Sequence, residues 1–480
     1  MMSPTAPQRL DGALLTRLEA ELPPGALLHT PGDCWAYGMD NSRRHHCPQA
    51  VALVNAPEQV TALLRLCHEA RLPVTARGRG TGTAGGSVPL DGGLVISFER
   101  MNRVLELIPE DRLIVVEPGL TNQGVQNAIA AEGFFWPPDP TSSAICTVGG
   151  NIACNAAGPR AVKYGSTRDN LLGLRAVDGT GRPFRTGVRT TKGVVGYDLT
   201  RLIAGSEGTL ALVTEATLRL TPRPDTVRSL RALYTDMNQA AHAVARLMAQ
   251  PNTPCALEFI DGAALRLIRE HQGALIDPNA GAMLMIEVDG PDACIDRALD
   301  AVRAAARGEG LLDLSVATTA GEVEALWAAR KALSPTLRHV APKKINEDVV
   351  VPVSRMPALI DGLERLAGTH RIAIVSFGHA GNGNIHVNLL VNPDDPLEMT
   401  RAHRCLDEVF DLVLRLGGTL SGEHGIGSEK RDFVGRELDD VSLQLMHAIK
   451  TRFDPHGILN PRKKLPYTDS PLPAPTPPMD

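Results

Sequence analysis

The stretch Arg77-Gly78-Arg79-Gly80-Thr81-Gly82-Thr83-Ala84-Gly85-Gly86 constrains this chain more than any other. It follows a strand signal, Val74-Thr75-Ala76, and places Gly80, Gly82 and Gly85 at the spacing of a dinucleotide fingerprint. In a Rossmann unit those glycines open a helix. Here Ser87-Val88-Pro89-Leu90-Asp91-Gly92-Gly93 follows, and proline with paired glycines does not start one, so the nicotinamide Rossmann reading is rejected. What remains is a loop of unobstructed backbone N–H groups, flanked by Arg77 and Arg79, suited to wrapping a pyrophosphate.

At 480 residues the chain exceeds one ordinary core, and about 150 residues per domain gives roughly two to four domains. A formal charge of −5 leaves no basic surplus for nucleic acid. No run reaches the ~18 apolar residues of a membrane span, and Met1-Met2-Ser3-Pro4-Thr5 lacks the basic and apolar regions of a signal peptide. The expected compartment is the cytoplasm, with peripheral contact to the inner membrane through an acceptor partner as the alternative. Eight cysteines without a Cys-x-x-Cys pair argue against iron–sulfur clusters, structural zinc and a disulfide framework. Redox chemistry therefore requires an added cofactor.

Residues 1–45 read as a helical lead-in. From Ala50 short strands (Val51–Val54, Val74–Ala76, Gly93–Ser97, Leu113–Glu117, Leu172–Val177, Leu210–Leu220) alternate with the helix Pro57–Arg71 and with loops rich in Gly, Asn and Thr. This predicts an α+β domain over 46–224, ending at the prolines of Thr221-Pro222-Arg223-Pro224. Over 225–417 the texture shifts to amphipathic helices (Ala240–Met248, Ile295–Arg307, Pro396–Leu416) and exposed strands (Ala282–Glu287, Leu312–Ala317), which predicts an antiparallel sheet backed by helices. A C-terminal segment, 418–466, precedes a proline-rich tail, 467–480, expected to be disordered.

Two histidine-bearing stretches stand out: Gly378-His379-Ala380-Gly381-Asn382-Gly383-Asn384-Ile385-His386 and Ser421-Gly422-Glu423-His424-Gly425-Ile426-Gly427. The first reads as a hairpin around Asn382-Gly383. With those two as turn residues, His379 and His386 lie directly opposite each other, Cβ atoms about 4.5–5.5 Å apart, and can share one divalent ion. Glu423 completes an N, N, O ligand set with an open position, and His424 stands beside it as a candidate base. A lone histidine in a glycine-rich loop is usually a surface group. Together these four residues make a constellation that structure alone does not require.

Further segments join the glycine loop: Pro137-Pro138-Asp139-Pro140-Thr141-Ser142, Thr147-Val148-Gly149-Gly150-Asn151-Ile152, Asn155-Ala156-Ala157-Gly158, Tyr164-Gly165 and Gly205-Ser206-Glu207-Gly208-Thr209-Leu210. In this order they resemble the FAD-binding domain of vanillyl-alcohol oxidase type flavoproteins. With His379, His386, Glu423 and His424 added, roughly residues 35–465 resemble the D-2-hydroxy acid dehydrogenases, the group of D-lactate dehydrogenase, the glycolate oxidase flavin subunit and D-2-hydroxyglutarate dehydrogenase. The resemblance implies an α+β chain: a vanillyl-alcohol oxidase type FAD-binding domain, an α+β substrate domain with an antiparallel sheet, and a C-terminal helical segment returning to the FAD. It implies that Arg77, Gly78, Arg79, Gly80, Thr81 and Gly82 hold the pyrophosphate. Pro138, Thr141, Ser142, Gly149, Gly150, Asn155, Gly158, Glu207, Val213 and Asn460 would line the rest of the cofactor. Some relatives anchor FAD through a histidine of the glycine loop, and this chain has none between His68 and His242, so noncovalent FAD is expected. Cys146 and Cys154 lie near the expected flavin and read as ordinary small buried thiols.

Oxidising an α-hydroxy acid removes a hydride from carbon and a proton from the hydroxyl. A metal on that hydroxyl lowers its pKa and a neutral imidazole takes the proton. These needs assign His424 as base, flavin N5 as hydride acceptor and His379, His386 and Glu423 as ligands of zinc or manganese. The resemblance adds Arg330 for the substrate carboxylate, a task that suits a guanidinium fork. Asn388 falls on the face of His386, two residues on. Where the 2-hydroxyglutarate enzymes carry Lys-x-Asp before a short strand, this chain has Asn346-Glu347-Asp348, which favours a monocarboxylate such as D-lactate. The expected activity is a D-lactate dehydrogenase, with a glycolate oxidase flavin subunit, a D-2-hydroxyglutarate dehydrogenase, an oxygen-using oxidase or a flavin subunit active only within a complex as alternatives. Expected partners are the 2-hydroxy acid and an external acceptor (quinone, cytochrome, electron-transfer flavoprotein or iron–sulfur subunit), with neither nucleic acid nor a membrane span; a homodimer stays open.

Overall fold

The computed structural model describes residues 10–272 and 276–466, so the expectations for residues 1–9 and for the tail 467–480 lie outside the described residues. The first sheet joins β1 (Leu27–Leu28), β2 (Ala50–Leu53), β3 (Val74–Arg77) and β4 (Leu94–Ser97) in the order β1-β2-β4-β3. β2 and β3 both run parallel to β4. Helix Pro57–Ala70 links β2 to β3 and buries Val60, Leu63, Leu64 and Cys67. No helix links β3 to β4; the glycine stretch makes that crossing as an irregular loop.

β5 (Val104–Ile108), β6 (Leu113–Val116), β8 (Leu171–Asp178), β9 (Pro183–Gly187) and β10 (Ala211–Arg219) form an antiparallel sheet in the order β5-β6-β10-β8-β9. The short pair β7 (Phe134–Phe135) and β11 (Thr221–Pro222) stands apart. The expected break at the prolines separates these from a seven-stranded antiparallel sheet made of β12 (Thr226–Tyr234), β13 (Ala256–Asp261), β14 (Ala282–Gly290), β15 (Leu311–Val316), β16 (Lys343–Val350), β17 (Ala373–His379) and β18 (Asn384–Val391). Its order is β15-β12-β14-β13-β17-β18-β16.

Alternation fixes the faces of this sheet. Leu230, Leu257, Phe259, Ile286, Val387 and Leu389 point to the back, against helices Met237–Ala249, Asp292–Ala306, Met356–His370 and Pro396–Arg415. Of the two strands expected to be exposed, β14 is buried in all but its last residue, while the edge strand β15 is half-buried to exposed; the neighbouring β13 is buried throughout. The front therefore carries a buried polar stripe, Ser229, Glu287, Glu258, His379, His386 and Asp348, running across the strands.

The histidine hairpin departs from its expected register. Ala380–Asn382 form a 3-10 turn closed by Gly383 at φ 69°, so Phe377 pairs with His386 and His379 pairs with Asn384. The loop is pulled inward, not left as a tight exposed turn. A Cβ on Gly381 would come within 2.5 Å of Val162, and the Asn384 amide donates to Asp348 Oδ1 at 2.7 Å. Because the pairing shifts by an even number of residues, both imidazoles keep the same face, as diagonal and not directly opposite neighbours.

The C-terminal segment, expected to return to the FAD, comes back to the edge of the first sheet beside the glycine loop. Asn460 N donates to Val74 O at 2.7 Å beside β3, and helix Asp440–Phe453 precedes this return. Between the sheets, Lys163 pairs with Asp289, and Tyr164 Oη donates to Asp289 Oδ2 at 2.6 Å. Among the described residues no helix is long and apolar enough to cross a membrane.

Candidate active site

A single cavity of about 1120 Å³ runs from the glycine loop to the front of the large sheet. At one end lie Arg77 to Ala84, with Thr141, Ser142, Gly149, Gly150, Glu207 and Val213 along its length. At the other lie Arg330, His379, His386, Glu423 and His424. Most of the sequence-derived cofactor and catalytic residues thus line one space.

The cofactor end is built from backbone. No N–H group from Arg79 to Ala84 donates to another described residue. Gly80 holds φ 65°, and a Cβ on Gly82 would point into open space. Gly78 is required for packing, since its Cβ would meet Thr147 Oγ1 at 2.4 Å. Thr147 Oγ1 in turn accepts from Gly150 N at 3.2 Å, capping the glycine-rich helix Val148–Cys154 whose start lines the cavity. Unpaired amides beside a helix start fit a dinucleotide pyrophosphate.

Five expected contacts differ in detail. The Arg77 guanidinium donates to the carbonyls of Met39 at 2.6 Å and Ala36 at 3.2 Å, so this side chain braces the N-terminal segment and does not face an anion. Pro138, Asn155, Gly158 and Asn460 stand behind the cavity wall. Asn155 Oδ1 accepts from Ser166 and Arg168, Gly158 at φ 112° packs on Asp139, and Asn460 donates to the carbonyls of Gly86 and Glu207. Asn122 donates to the Pro138 carbonyl at 2.9 Å. Side-chain packing of this kind leaves no periodic trace in a sequence.

The other end is built from side chains. Glu423 Oε1 lies 3.1 Å from His379 Nε2 and 3.8 Å from His386 Nε2. Behind each ring stands a buried carboxylate: Glu258 Oε1 is 2.6 Å from His379 Nδ1, and Asp348 Oδ1 is 3.6 Å from His386 Nδ1. Imidazoles backed by carboxylates, with Nε2 turned toward a third acidic group, could hold a divalent ion. Glu423 Oε2 is buried without a hydrogen-bond partner, as a free ligand atom would be. Asp348, His386, Glu423 and His424 also bring donor atoms within 4.8 Å of one another. Asp348, however, is already saturated: its Oδ2 accepts from the N–H groups of Gly422, Glu423 and His424 at 2.7–2.9 Å, and its Oδ1 from Asn384.

Electrostatics follow from this crowding. Burial pulls the His379 imidazole down, but Glu258 and Glu423 outweigh it and hold the group well above its usual range. Burial and the neighbouring His424 hold His386 well below its own. Burial pushes the Asp348 carboxyl up, yet His424, Lys430 and His386 overcome it and keep the group below the usual carboxylate range. His424 stacks on His386 with ring centroids 5.1 Å apart and an interplanar angle of 9°.

Arg330, on helix Ala320–Val340, lies 4.8 Å from the Phe377 ring centroid and donates Nε to Glu258 Oε2 at 2.8 Å. Its terminal nitrogens bond no described residue, which leaves the fork open in the cavity. Asn388 is fully buried beside His386: its amide nitrogen donates to the carbonyls of Val375 and His386 at 3.1 Å, while its Oδ1 has no hydrogen-bond partner among the described residues. The neighbour that does line the cavity is Asn346, its cross-strand partner.

Sequence reasoning missed Glu258 and Asp348 as site residues, and the second role of Glu207. Glu207 accepts from Ile426 N at 2.8 Å and Gly427 N at 2.6 Å, fastening the loop that carries Glu423 and His424 to the flavin side. The one signal for Glu258 was its alternation with Leu257 and Phe259.

The comparisons agree with this geometry. Residues 48–187 match the family described as FAD binding domain, and residues 223–464 match FAD linked oxidases, C-terminal domain. The chain is 38% identical over 416 residues to the glycolate oxidase subunit GlcD of Bacillus subtilis, covering 87% of this chain and 88% of that protein. It is 33% identical to a D-lactate dehydrogenase of Anaerostipes hadrus, covering 87% and 89%. The solved structure of p-cresol methylhydroxylase shares the vanillyl-alcohol oxidase type fold with a TM-score of 0.79, at 18% identity over 95% of this chain and 98% of that one. The cradle of free amides, the family matches and these relatives converge, and the chain belongs to the FAD-linked oxidases, as an oxidoreductase of the D-2-hydroxy acid dehydrogenase family.

Proposed function

We propose that the protein is a FAD- and divalent-metal-dependent dehydrogenase that oxidises a short D-2-hydroxy acid, D-lactate foremost, to the 2-oxo acid and passes the electrons to an external acceptor. The observation that carries this reading is the single cavity joining a cradle of unpaired amides to the cluster of His379, His386 and Glu423. Bound there, FAD supplies a two-electron acceptor and zinc or manganese supplies Lewis acidity toward the substrate hydroxyl.

The chain's own residues do the rest. The Arg330 fork receives the substrate carboxylate, and Glu258, by occupying Nε, aims the two terminal nitrogens at it. His424 takes the hydroxyl proton, its ring steadied by the stack on His386 and its backbone by Asp348. Asn346 presents a neutral amide where the 2-hydroxyglutarate enzymes carry a cation, which supports a monocarboxylate. The reading places the protein in the cytoplasm, with contact to the inner membrane through the acceptor as the alternative.

The test is anaerobic mixing of the FAD-loaded chain with D-lactate and with L-lactate. Bleaching of the flavin by the D isomer alone is the expected result. An oxidised flavin in the presence of every short 2-hydroxy acid, of either hand, overturns the reading. The printed name of the Bacillus subtilis relative, a subunit, favours a second reading in which this chain works inside a complex. A chain that bleaches with D-lactate but passes no electrons to a dye supports that version.

A further inference from the structure

Part of the cavity belongs neither to the flavin cradle nor to the His379–His386–Glu423 cluster. It is walled by Val227 of β12, Glu287 of β14, and Val323, Trp327 and the exposed Glu324 of helix Ala320–Val340. Trp327 precedes Arg330 by one helical turn and so shares its face. This wall is therefore within the same space as Arg330, the residue proposed to receive the substrate carboxylate.

Glu287 is the unusual member. It is buried on the polar stripe of the sheet, and its Oε1 accepts from Ser229 Oγ at 2.6 Å and from Trp327 Nε1 at 2.7 Å. Its Oε2 bonds no described residue and remains open to the cavity. A buried carboxylate is costly, and satisfying an indole N–H and a hydroxyl does not require a negative charge. The two donors fix one oxygen and leave the other facing whatever enters. Arg160 also lines the cavity, and it pairs with Asp139 through Nε at 3.4 Å.

We propose that Glu287, held by Ser229 and Trp327, is a specificity-determining residue that turns the site against substrates bearing a second carboxylate. The inference rests on the hydroxy acid reading above and deepens it by naming the group that discriminates. Like charges brought together in a desolvated wall are a recognised means of rejecting a competitor. The valines and the indole beside Glu287 leave a short uncharged side chain unopposed.

The experiment compares D-lactate with D-2-hydroxyglutarate as reductants of the bound flavin, by kcat/KM with a dye acceptor and by anaerobic bleaching. The wild-type chain should prefer D-lactate. Glu287→Gln, which keeps both hydrogen-bonded donors satisfied, should raise the ratio of dicarboxylate to D-lactate kcat/KM by about tenfold or more, with the dicarboxylate's own value rising in absolute terms. Trp327→Phe, which frees Glu287 from one donor, should move the ratio by less. An unchanged ratio in a Glu287→Gln protein that keeps its FAD and its melting temperature refutes the assignment. So does a wild-type preference for the dicarboxylate that disappears in Arg160→Met, since that result gives the wall to Arg160. If neither acid bleaches the flavin in any variant, the parent reading falls and this assignment falls with it.

Discussion

The two ends of the cavity are made by opposite means. At the glycine loop the protein offers backbone and removes side chains: Gly80 at φ 65°, Gly82 facing open space, and a run of unpaired amides. At the large sheet it offers side chains on a rigid frame, where the pairing of Glu258 with His379 and of Asp348 with His386 sets which groups meet. The first can be written in a contiguous stretch of sequence. The second exists only once strands from distant parts of the chain have paired in register.

That division predicts lesions of two kinds, and the largest expected effect is at the sheet. Glu423→Ala should lower the rate of flavin reduction by D-lactate by ~10³ or more, as should chelation, while bound FAD keeps its absorbance. Parallel loss of flavin and activity would show that the two ends are not separable. His424→Ala should cost ~10²–10⁴ in the same reductive step, and a near-normal rate would make the ring a spacer for His386 and not a base. Glu258→Gln, by removing the carboxylate behind His379, should weaken metal affinity by about 10–100-fold, measured by titrating metal back into the stripped protein. At the loop, Gly78→Ala should displace Thr147 and weaken FAD by roughly tenfold, read from flavin release on dilution, with the reductive rate of the molecules still loaded little changed. A Gly78→Ala chain that holds its flavin normally but reduces it slowly would erase the contrast.

The same contrast explains what could be read from the sequence. The glycine loop, the helix after β2, most strands of the first two sheets and the four residues His379, His386, Glu423 and His424 are legible because each is a local signal: a missing Cβ, a period, or a chemically expensive side chain. The hairpin register was not, since Gly381 tucks against Val162 and Leu257, a contact that no turn preference encodes. Glu258 looks like any acid on the polar face of a strand until Arg330 and His379 arrive from 72 and 121 residues away. Arg77 misled in the other direction: its guanidinium flanks the loop in sequence yet braces carbonyls of the N-terminal segment. Asn388 shares the face of His386 as its spacing requires, but its complete burial is set by packing that its spacing does not encode.

The segment bearing Glu423 and His424 hangs from two anchorages: Asp348, which gathers three successive amides, and Glu207, which gathers the next pair but one residue on. One anchorage belongs to the substrate half of the molecule and the other to the flavin half. The consequence concerns assembly: neither half alone supplies both anchorages, so the position of Glu423 and His424 depends on the two halves being folded and docked together.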